Sequence, residues 1–250
     1  MIRNSTITNI AVGTVVCVAC TSTLAQVTVQ SSWLFSTDNG TSWLPGLISV
    51  PDSQPSVLIR MQVTVFENGT QVPFGGRWRF TDAMFEAYST TSTSNGDTAS
   101  SILQHSVALL PETSLSGGNN AARRVGNVLA IDRRDDTTPL GTFPGVFVTN
   151  RGSGFNGPLD ANPLALLQFR LALDGSLGDR NFSSAFLPFT ATGGATAGIG
   201  QVLVRDTQQS TFTVQPVTVT QIPATLTVIP TPTTLALFTI TSLFTTRRRR

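Results

Sequence analysis

Between Val57 and Val65 the chain alternates. Val57, Ile59, Met61, Val63 and Val65 fall on one side, and Arg60, Gln62 and Thr64 on the other. Period-two alternation of this length predicts a strand with one buried face. Asn68-Gly69 follows directly and Thr70-Gln71-Val72 returns, which is the composition of a tight hairpin. A second hairpin is predicted where Trp33-Leu34-Phe35 and Trp43 flank Asn39-Gly40, with aromatic residues placed to pair across it. Leu167, Phe169, Leu171 and Leu173 alternate with Gln168, Arg170 and Ala172, and Asp174-Gly175 closes that run. Val202 and Val204 mark another strand; Phe212, Val214, Val217 and Val219 mark a last one, interrupted at Pro216. Shorter strand segments are read at 78–80, 102–110, 125–131 and 146–149, and Phe80–Tyr88 and Pro163–Leu167 read as short helical turns. The polar, small-residue stretches 89–101 and 115–120 read as loops. Many strands separated by Gly and Pro predict an all-β fold, an antiparallel β-sandwich, as one domain over 26–220 followed by a Thr/Pro linker at 221–229.

The two ends of the chain have a different pattern. Met1-Ile2-Arg3 supplies a positive start, Ile7 to Ala19 an apolar run, and Thr23 and Ala25 small residues at the −3 and −1 positions of a cleavage site. This is the layout of a signal peptide, residues 1–25, with cleavage between Ala25 and Gln26; the export translocon and a signal peptidase are the implied partners. At the other end Pro230-Thr231-Pro232 precedes an uncharged run, Thr233 to Thr246, and then Arg247, Arg248, Arg249 and Arg250. As a helix that run spans about 21 Å at 1.5 Å per residue, short of the roughly 30 Å hydrocarbon core. Four arginines hold the end cytoplasmic and leave everything before Pro230 outside.

These tail residues resemble the PEP-CTERM sorting signal of exported bacterial proteins, in which Pro-Glu-Pro precedes a membrane-spanning segment and a basic end. Thr231 stands where that family has glutamate. The resemblance implies an exosortase-like sorting enzyme as partner, contact with the membrane through the tail at 230–250, and delivery to the cell envelope, cell surface or extracellular matrix. The order of elements in the body loosely resembles cohesin-like and related immunoglobulin-like sandwiches: a strand near residue 27, the alternating strand at 57–65, a Pro-Leu-x-x-x-x-Phe-x-Leu strand at 163–171 and a final Thr/Val strand.

Charge narrows the choice of partner. Five of the sixteen basic residues lie in the terminal signals, leaving eleven against fourteen acids and a net −3 for the exported part. Nucleic acid therefore has no electrostatic support as a ligand. Cys17 and Cys20 both fall in the signal peptide, and every basic residue is Arg rather than Lys. The mature body is thus without a thiol nucleophile, a disulfide or Schiff-base chemistry.

No catalytic set emerges from the remaining residues. His105 is the single histidine and no Gly-x-Ser-x-Gly elbow accompanies it, so it reads as structural or surface. Asp132, Asp135 and Asp136 adjoin Arg133 and Arg134, a self-neutralising loop, and Glu67, Glu86 and Glu112 are the glutamates. No metal centre and no cofactor are predicted, although Asp38-Asn39-Gly40, Asn95-Gly96-Asp97 and Asp174 to Asp179 offer oxygen ligands for a structural calcium. The same residues are ordinary turn chemistry. Gly193 to Gly200 reads as a loop rather than a phosphate cradle. Trp33, Trp43 and Trp78 are core residues or saccharide-stacking platforms, Trp33 and Trp43 being the sugar-stacking candidates. The leading expectation is an exported, non-enzymatic surface or matrix protein. The alternatives are a carbohydrate-binding module for extracellular polysaccharide and, behind it, a secreted hydrolase.

Overall fold

The alternating run at 57–65 lies within β4 (Ser56–Glu67), and its five apolar side chains are all buried. In the computed structural model, which describes residues 26–92, 95–104, 120–133, 146–149, 162–191, 194–208 and 213–231, β4 is the middle of the first of two layers. It pairs antiparallel with β1 (Val27–Ser36) on one side and with β11 (Leu164–Ala172) on the other. β7 (Thr98–Gln104) extends the layer beyond β11; the short β2 (Leu44–Pro45) and β5 (Thr70–Gln71) pair with β1 and β4. Asn39 and Asn68 adopt positive φ before Gly40 and Gly69, so both predicted Asn-Gly turns form.

The second layer is built on β6 (Trp78–Thr91). Phe85 pairs with Phe186 on one side and Val146 on the other, and Asp82 with Leu203 and Thr149. One side of β6 therefore carries β12 (Gly178–Phe186) and β15 (Gln201–Asp206) end to end, and the other carries β9 (Val128–Arg133) and β10 (Val146–Thr149). Beyond β12 lie β17 (Ala224–Ile229) and β3 (Leu47–Pro51), which run parallel; beyond β9 lies β8 (Asn120–Val125). β16 (Thr213–Gln221) joins the layers, antiparallel to β15 and parallel to β1. Between the layers Trp33 and Phe35 of β1 meet Phe182 of β12 with ring centroids 5.6 and 5.2 Å apart. A smaller cluster of Met84, Leu187, Phe189, Ala191, Ala197 and Leu203 occupies the other face of β6, with the hairpin of β13 (Phe189–Thr190) and β14 (Thr196–Ala197) contributing to it. The expected all-β sandwich is what the described residues form, and among them no helix is long and apolar enough to cross a membrane.

Several local expectations need correction. Phe80–Tyr88 lies in β6, not in a helical turn: Ala83, Phe85 and Ala87 face the main core while Met84 joins the second cluster. A strand covered on both faces loses its alternation and reads as a helix-length apolar run. Pro163–Leu167 leads into β11, where a bulge between Ala165 and Leu167 buries Leu166 and Leu167 together. The 125–131 segment is two strands joined by Gly126-Asn127, with Gly126 at φ 60°. Ser89–Thr91 and Thr98–Ser101, expected as loop, are strand, and β16 runs through Pro216 without a break. The expected linker at 221–229 contains β17, whose Ala224, Leu226 and Val228 are buried in the main core between β12 and β3. The signal peptide 1–25, the tail from Pro232 onward, His105 and Glu112 lie outside the described residues.

Candidate functional site

The outward face of β1, β4 and β11 holds the one predicted tryptophan platform that reaches the surface. Asp38 to Trp43 form the β1–β2 turn, and that turn folds over the sheet: Leu58 Cδ1 and Trp43 Cζ2 both lie 3.6 Å from where a Cβ on Gly40 would sit. Gly40 has φ 89°, a conformation other residues rarely adopt, and it lets the turn approach this closely. Trp43 is half-buried, with the Arg60 guanidinium carbon 4.1 Å from its ring centroid. Arg60 donates from Nε (3.0 Å) and Nη2 (2.8 Å) to Gln168 Oε1, its direct cross-strand partner on β11. Two residues on, Arg170 donates to Asn39 Oδ1 (2.7 Å) and Ser56 Oγ (3.0 Å), fastening the turn to the sheet.

Trp33 has no such role. It is 2% exposed and packs against Phe182 inside the core, so its sugar-stacking assignment does not hold. Strand alternation decides this: Trp33 pairs with Met61 on the inward face, while its neighbour Leu34 pairs with Arg60 on the outward one. Trp78 is also buried and donates its indole N–H to Glu67 Oε1 at 2.9 Å. Sequence reasoning singled out Trp43 but missed Asn39, Arg60, Gln168 and Arg170 as its companions. The available signal was the strand period, which already placed Arg60, Gln168 and Arg170 on the solvent side.

The three acidic loops prove to be turns and an ion-pair knot. Asp38 accepts hydrogen bonds from the Ser36 hydroxyl (2.6 Å) and from the Ser42 hydroxyl and N–H (2.6 and 3.0 Å), which hold its carboxyl well below the usual range. Asn95-Gly96-Asp97 and Asp174 do come together, but around a cation that the chain itself supplies. Arg180, 1% exposed, donates Nε to Asp97 Oδ2 at 2.8 Å, and its Nη2 lies 3.4 Å from Asp174 Oδ1. It also reaches the Gly178 carbonyl (2.7 Å) and Ser176 Oγ (2.9 Å). Burial works to raise the Asp174 carboxyl, and hydrogen bonds led by Ser176 and the Gly96 N–H outweigh this and hold it well below the usual range. Among the described residues no cluster of three potential metal ligands forms.

Other described carboxylates lie buried within the sandwich. Asp206 takes a forked pair of bonds from Arg77 (3.0 and 2.7 Å), and these raise the Arg77 guanidinium. Asp82 and Glu86 are buried on the same side of β6, four residues apart, with the Tyr88 hydroxyl donating to Glu86. That separation along a strand is about 13 Å, beyond the 5–10 Å that opposed glycosidase carboxyls need. Of the residues expected to form a sorting motif, Pro230 and Thr231 are exposed, and Thr231 is fastened to Asp52.

No protein-family model matches the chain, and no curated protein matches it. Among solved structures it is similar to the seventh ScaB type I cohesin from Pseudobacteroides cellulosolvens, at 8% identity and a TM-score of 0.42, covering 76% of this chain and 92% of that one. It is also similar to CaCohA2 from Clostridium acetobutylicum (13% identity, TM-score 0.36, 80% and 90% covered). A non-cellulosomal cohesin from Archaeoglobus fulgidus is a third (7%, TM-score 0.34, 86% and 98%). At these TM-scores the likeness maps no binding surface onto this chain.

Proposed function

We propose that the chain is an exported, non-enzymatic binding protein of the cell surface or extracellular matrix. In this reading an N-terminal signal delivers it, and the tail from Pro230 to Arg250 is read by an exosortase-like enzyme. The observation that carries the binding role is the outward face of β1, β4 and β11, where Trp43, Arg60 and Gln168 form one contact set and Arg170 and Asn39 a second beside it. The position of Thr231 supports the tail's role: β17 ends at Ile229, and Pro230 and Thr231 lie at the surface. The narrower reading, binding of extracellular polysaccharide, is favoured by the half-buried indole of Trp43, since aromatic rings with an accessible face are the usual saccharide platform.

Two measurements test this. Mass spectrometry of the protein from its native host is expected to find Gln26 at the N-terminus and a C-terminus near Pro230, with Arg247–Arg250 removed. Intact chain recovered from the soluble cell interior overturns the export reading. Retention of the purified protein on polysaccharide gels, lost in Trp43→Ala, is expected for the binding role. Retention unchanged by that substitution removes this face from consideration.

A further inference from the structure

β17 occupies the stretch expected as a linker and so removes the slack between the body and the tail. It is paired on both sides, by β12 and by β3, and Ile229 at its end pairs with Pro51. Thr231 is then held to the β3–β4 turn. Its N–H lies 3.0 Å from Asp52 Oδ1, and its hydroxyl bonds the same oxygen and lies 3.0 Å from Ser53 Oγ. Thr231 is also the last described residue, and Pro232 alone separates it from the uncharged run that begins at Thr233. One residue reaches about 3.6 Å at most. The run has no length to spare: about 21 Å as a helix against a hydrocarbon core of roughly 30 Å, with Arg247 to Arg250 kept on the far side.

The register of the strands places this junction at one end of the sandwich. The same end gathers the β3–β4 turn, the β11–β12 turn from Asp174 to Leu177 and the start of β7 at Thr98. Leu177 and Ile229 each lie one residue beyond the Gly178–Val228 pair, on neighbouring strands, and are 53% and 42% exposed. The opposite end holds Gln26, whose N–H donates to Asn68 Oδ1 at 3.0 Å, and the β5–β6 loop with its exposed Phe74. β4 runs from one end to the other over 12 residues, about 36 Å at about 3.3 Å per residue.

We propose that, while the tail is in the bilayer, the sandwich stands on the membrane with this end down. Leu177, Ile229 and the β3–β4 turn then meet the headgroups, and Gln26 and Phe74 point away. This orientation rests on the reading of the tail given above and adds which surface of the body the lipid covers. A body on a free linker would take no fixed orientation; one fastened at Thr231 keeps the β3–β4 turn beside the point where the chain enters the membrane. Charge does not drive the contact. The described carboxylates nearest the junction are Asp38, Asp52, Asp97, Asp174 and Asp179, and each accepts a hydrogen bond from the chain itself. The guanidiniums nearest it, Arg124, Arg170 and Arg180, are fewer, so this end has no net attraction for anionic lipid. The tether and the exposed apolar side chains hold it down.

The test uses the full exported protein, Gln26–Arg250, which holds no cysteine. A bimane probe is attached at Leu177→Cys or at Phe74→Cys, and the chain is reconstituted into vesicles of neutral phosphatidylcholine with spin-labelled headgroups. Both positions are exposed, and unaltered melting temperatures confirm that the sandwich is intact in each variant. Quenching is expected at position 177 and not at position 74, about 36 Å away. Asp52→Ala, which frees Thr231, is expected to reduce the quenching at 177. Equal quenching at both positions, quenching at 74 alone, or none at either in vesicle-bound chain overturns the orientation and leaves the tail reading standing. Quenching at 177 that Asp52→Ala leaves unchanged overturns the clamp as the orienting contact. Failure of the chain to float with the vesicles overturns the tail reading, and the orientation with it.

Discussion

Thr231 is fastened to Asp52 by both its backbone N–H, at 3.0 Å from Oδ1, and its hydroxyl, which bonds the same oxygen. The hydroxyl also lies 3.0 Å from Ser53 Oγ, and the Asp52 N–H donates to the Ile229 carbonyl at 2.8 Å. The middle residue of the Pro230–Pro232 segment is therefore clamped to the turn between β3 and β4. Thr231 thus presents a side chain that donates to a carboxylate on the chain's own body.

Replacing Asp52 with Ala is expected to release that clamp without unfolding the sandwich. The hydroxyl of Thr231, followed by its N–H, lowers the Asp52 carboxyl below its ordinary range. A lowered carboxyl makes its contribution above the unfolded value, near 4, and loses it as pH falls through the folded value. Amide exchange at Thr231, corrected for intrinsic rate, should show protection above about pH 5 in the native chain. That protection should fade below the ordinary carboxylate range, and be absent at every pH in Asp52→Ala. Equal protection in the variant would place the anchor elsewhere.

How much of this was legible in the sequence depends on which neighbour decides each residue's place. β4 was readable because only one of its faces is buried, and its own period shows which. β6 was not, because both faces are covered by residues far away in the chain. β17 hides behind its composition: Thr225 and Thr227 face outward to Asn181 Oδ1 and Asp179 Oδ1, while Ala224, Leu226 and Val228 alternate inward. The run is short and flanked by proline, so it resembles a linker until β12 and β3 are seen beside it. The partner of the acidic loops was hidden for a similar reason, since nothing local to Asp97 or Asp174 announces that Arg180 will lie between them.

Ending the chain at Gln221 is expected to abolish folding, whereas ending it at Thr231 is not. The shorter chain loses Leu226 and Val228 from the core, each worth about 1.5–3 kcal/mol of burial, and exposes the bonding edges of β12 and β3. Against a typical total of about 5–15 kcal/mol this is decisive. Circular dichroism and a melting curve on the two truncations read the difference. A cooperative transition in the Gln221 chain would show that β17 is dispensable.

Asp97→Ala is expected to destabilise the protein by about 3–5 kcal/mol, the cost of stranding a buried guanidinium. Arg180 would keep only Asp174, Ser176 and the Gly178 carbonyl. Because Asp174 is lowered, its share is present at neutral pH and lost only on acidification below the ordinary carboxylate range. Calcium or EDTA should leave the melting temperature of the native chain unmoved, since Arg180 occupies the place a cation would take. A calcium-dependent rise would mean that a metal site forms despite it.

Trp33 and Trp43 stand ten residues apart on either side of one Asn-Gly turn, and replacing each with Ala should separate stability from binding. Trp33→Ala removes a buried ring that packs on Phe182 and is expected to cost about 3–5 kcal/mol. Trp43→Ala removes a half-buried ring whose described partner is the Arg60 guanidinium, a contact worth about 0.5–1 kcal/mol at such a site. Chemical denaturation should separate the two clearly, with equal slopes if both native states stay compact. This order also governs how ligand binding is read. A loss of polysaccharide retention in Trp33→Ala reports a damaged sandwich, while the same loss in Trp43→Ala, at near-native stability, reports the binding face itself. If Trp43→Ala proves the more destabilising of the two, the indole is a structural strut for the β1–β2 turn, and the case for a saccharide platform fails with it.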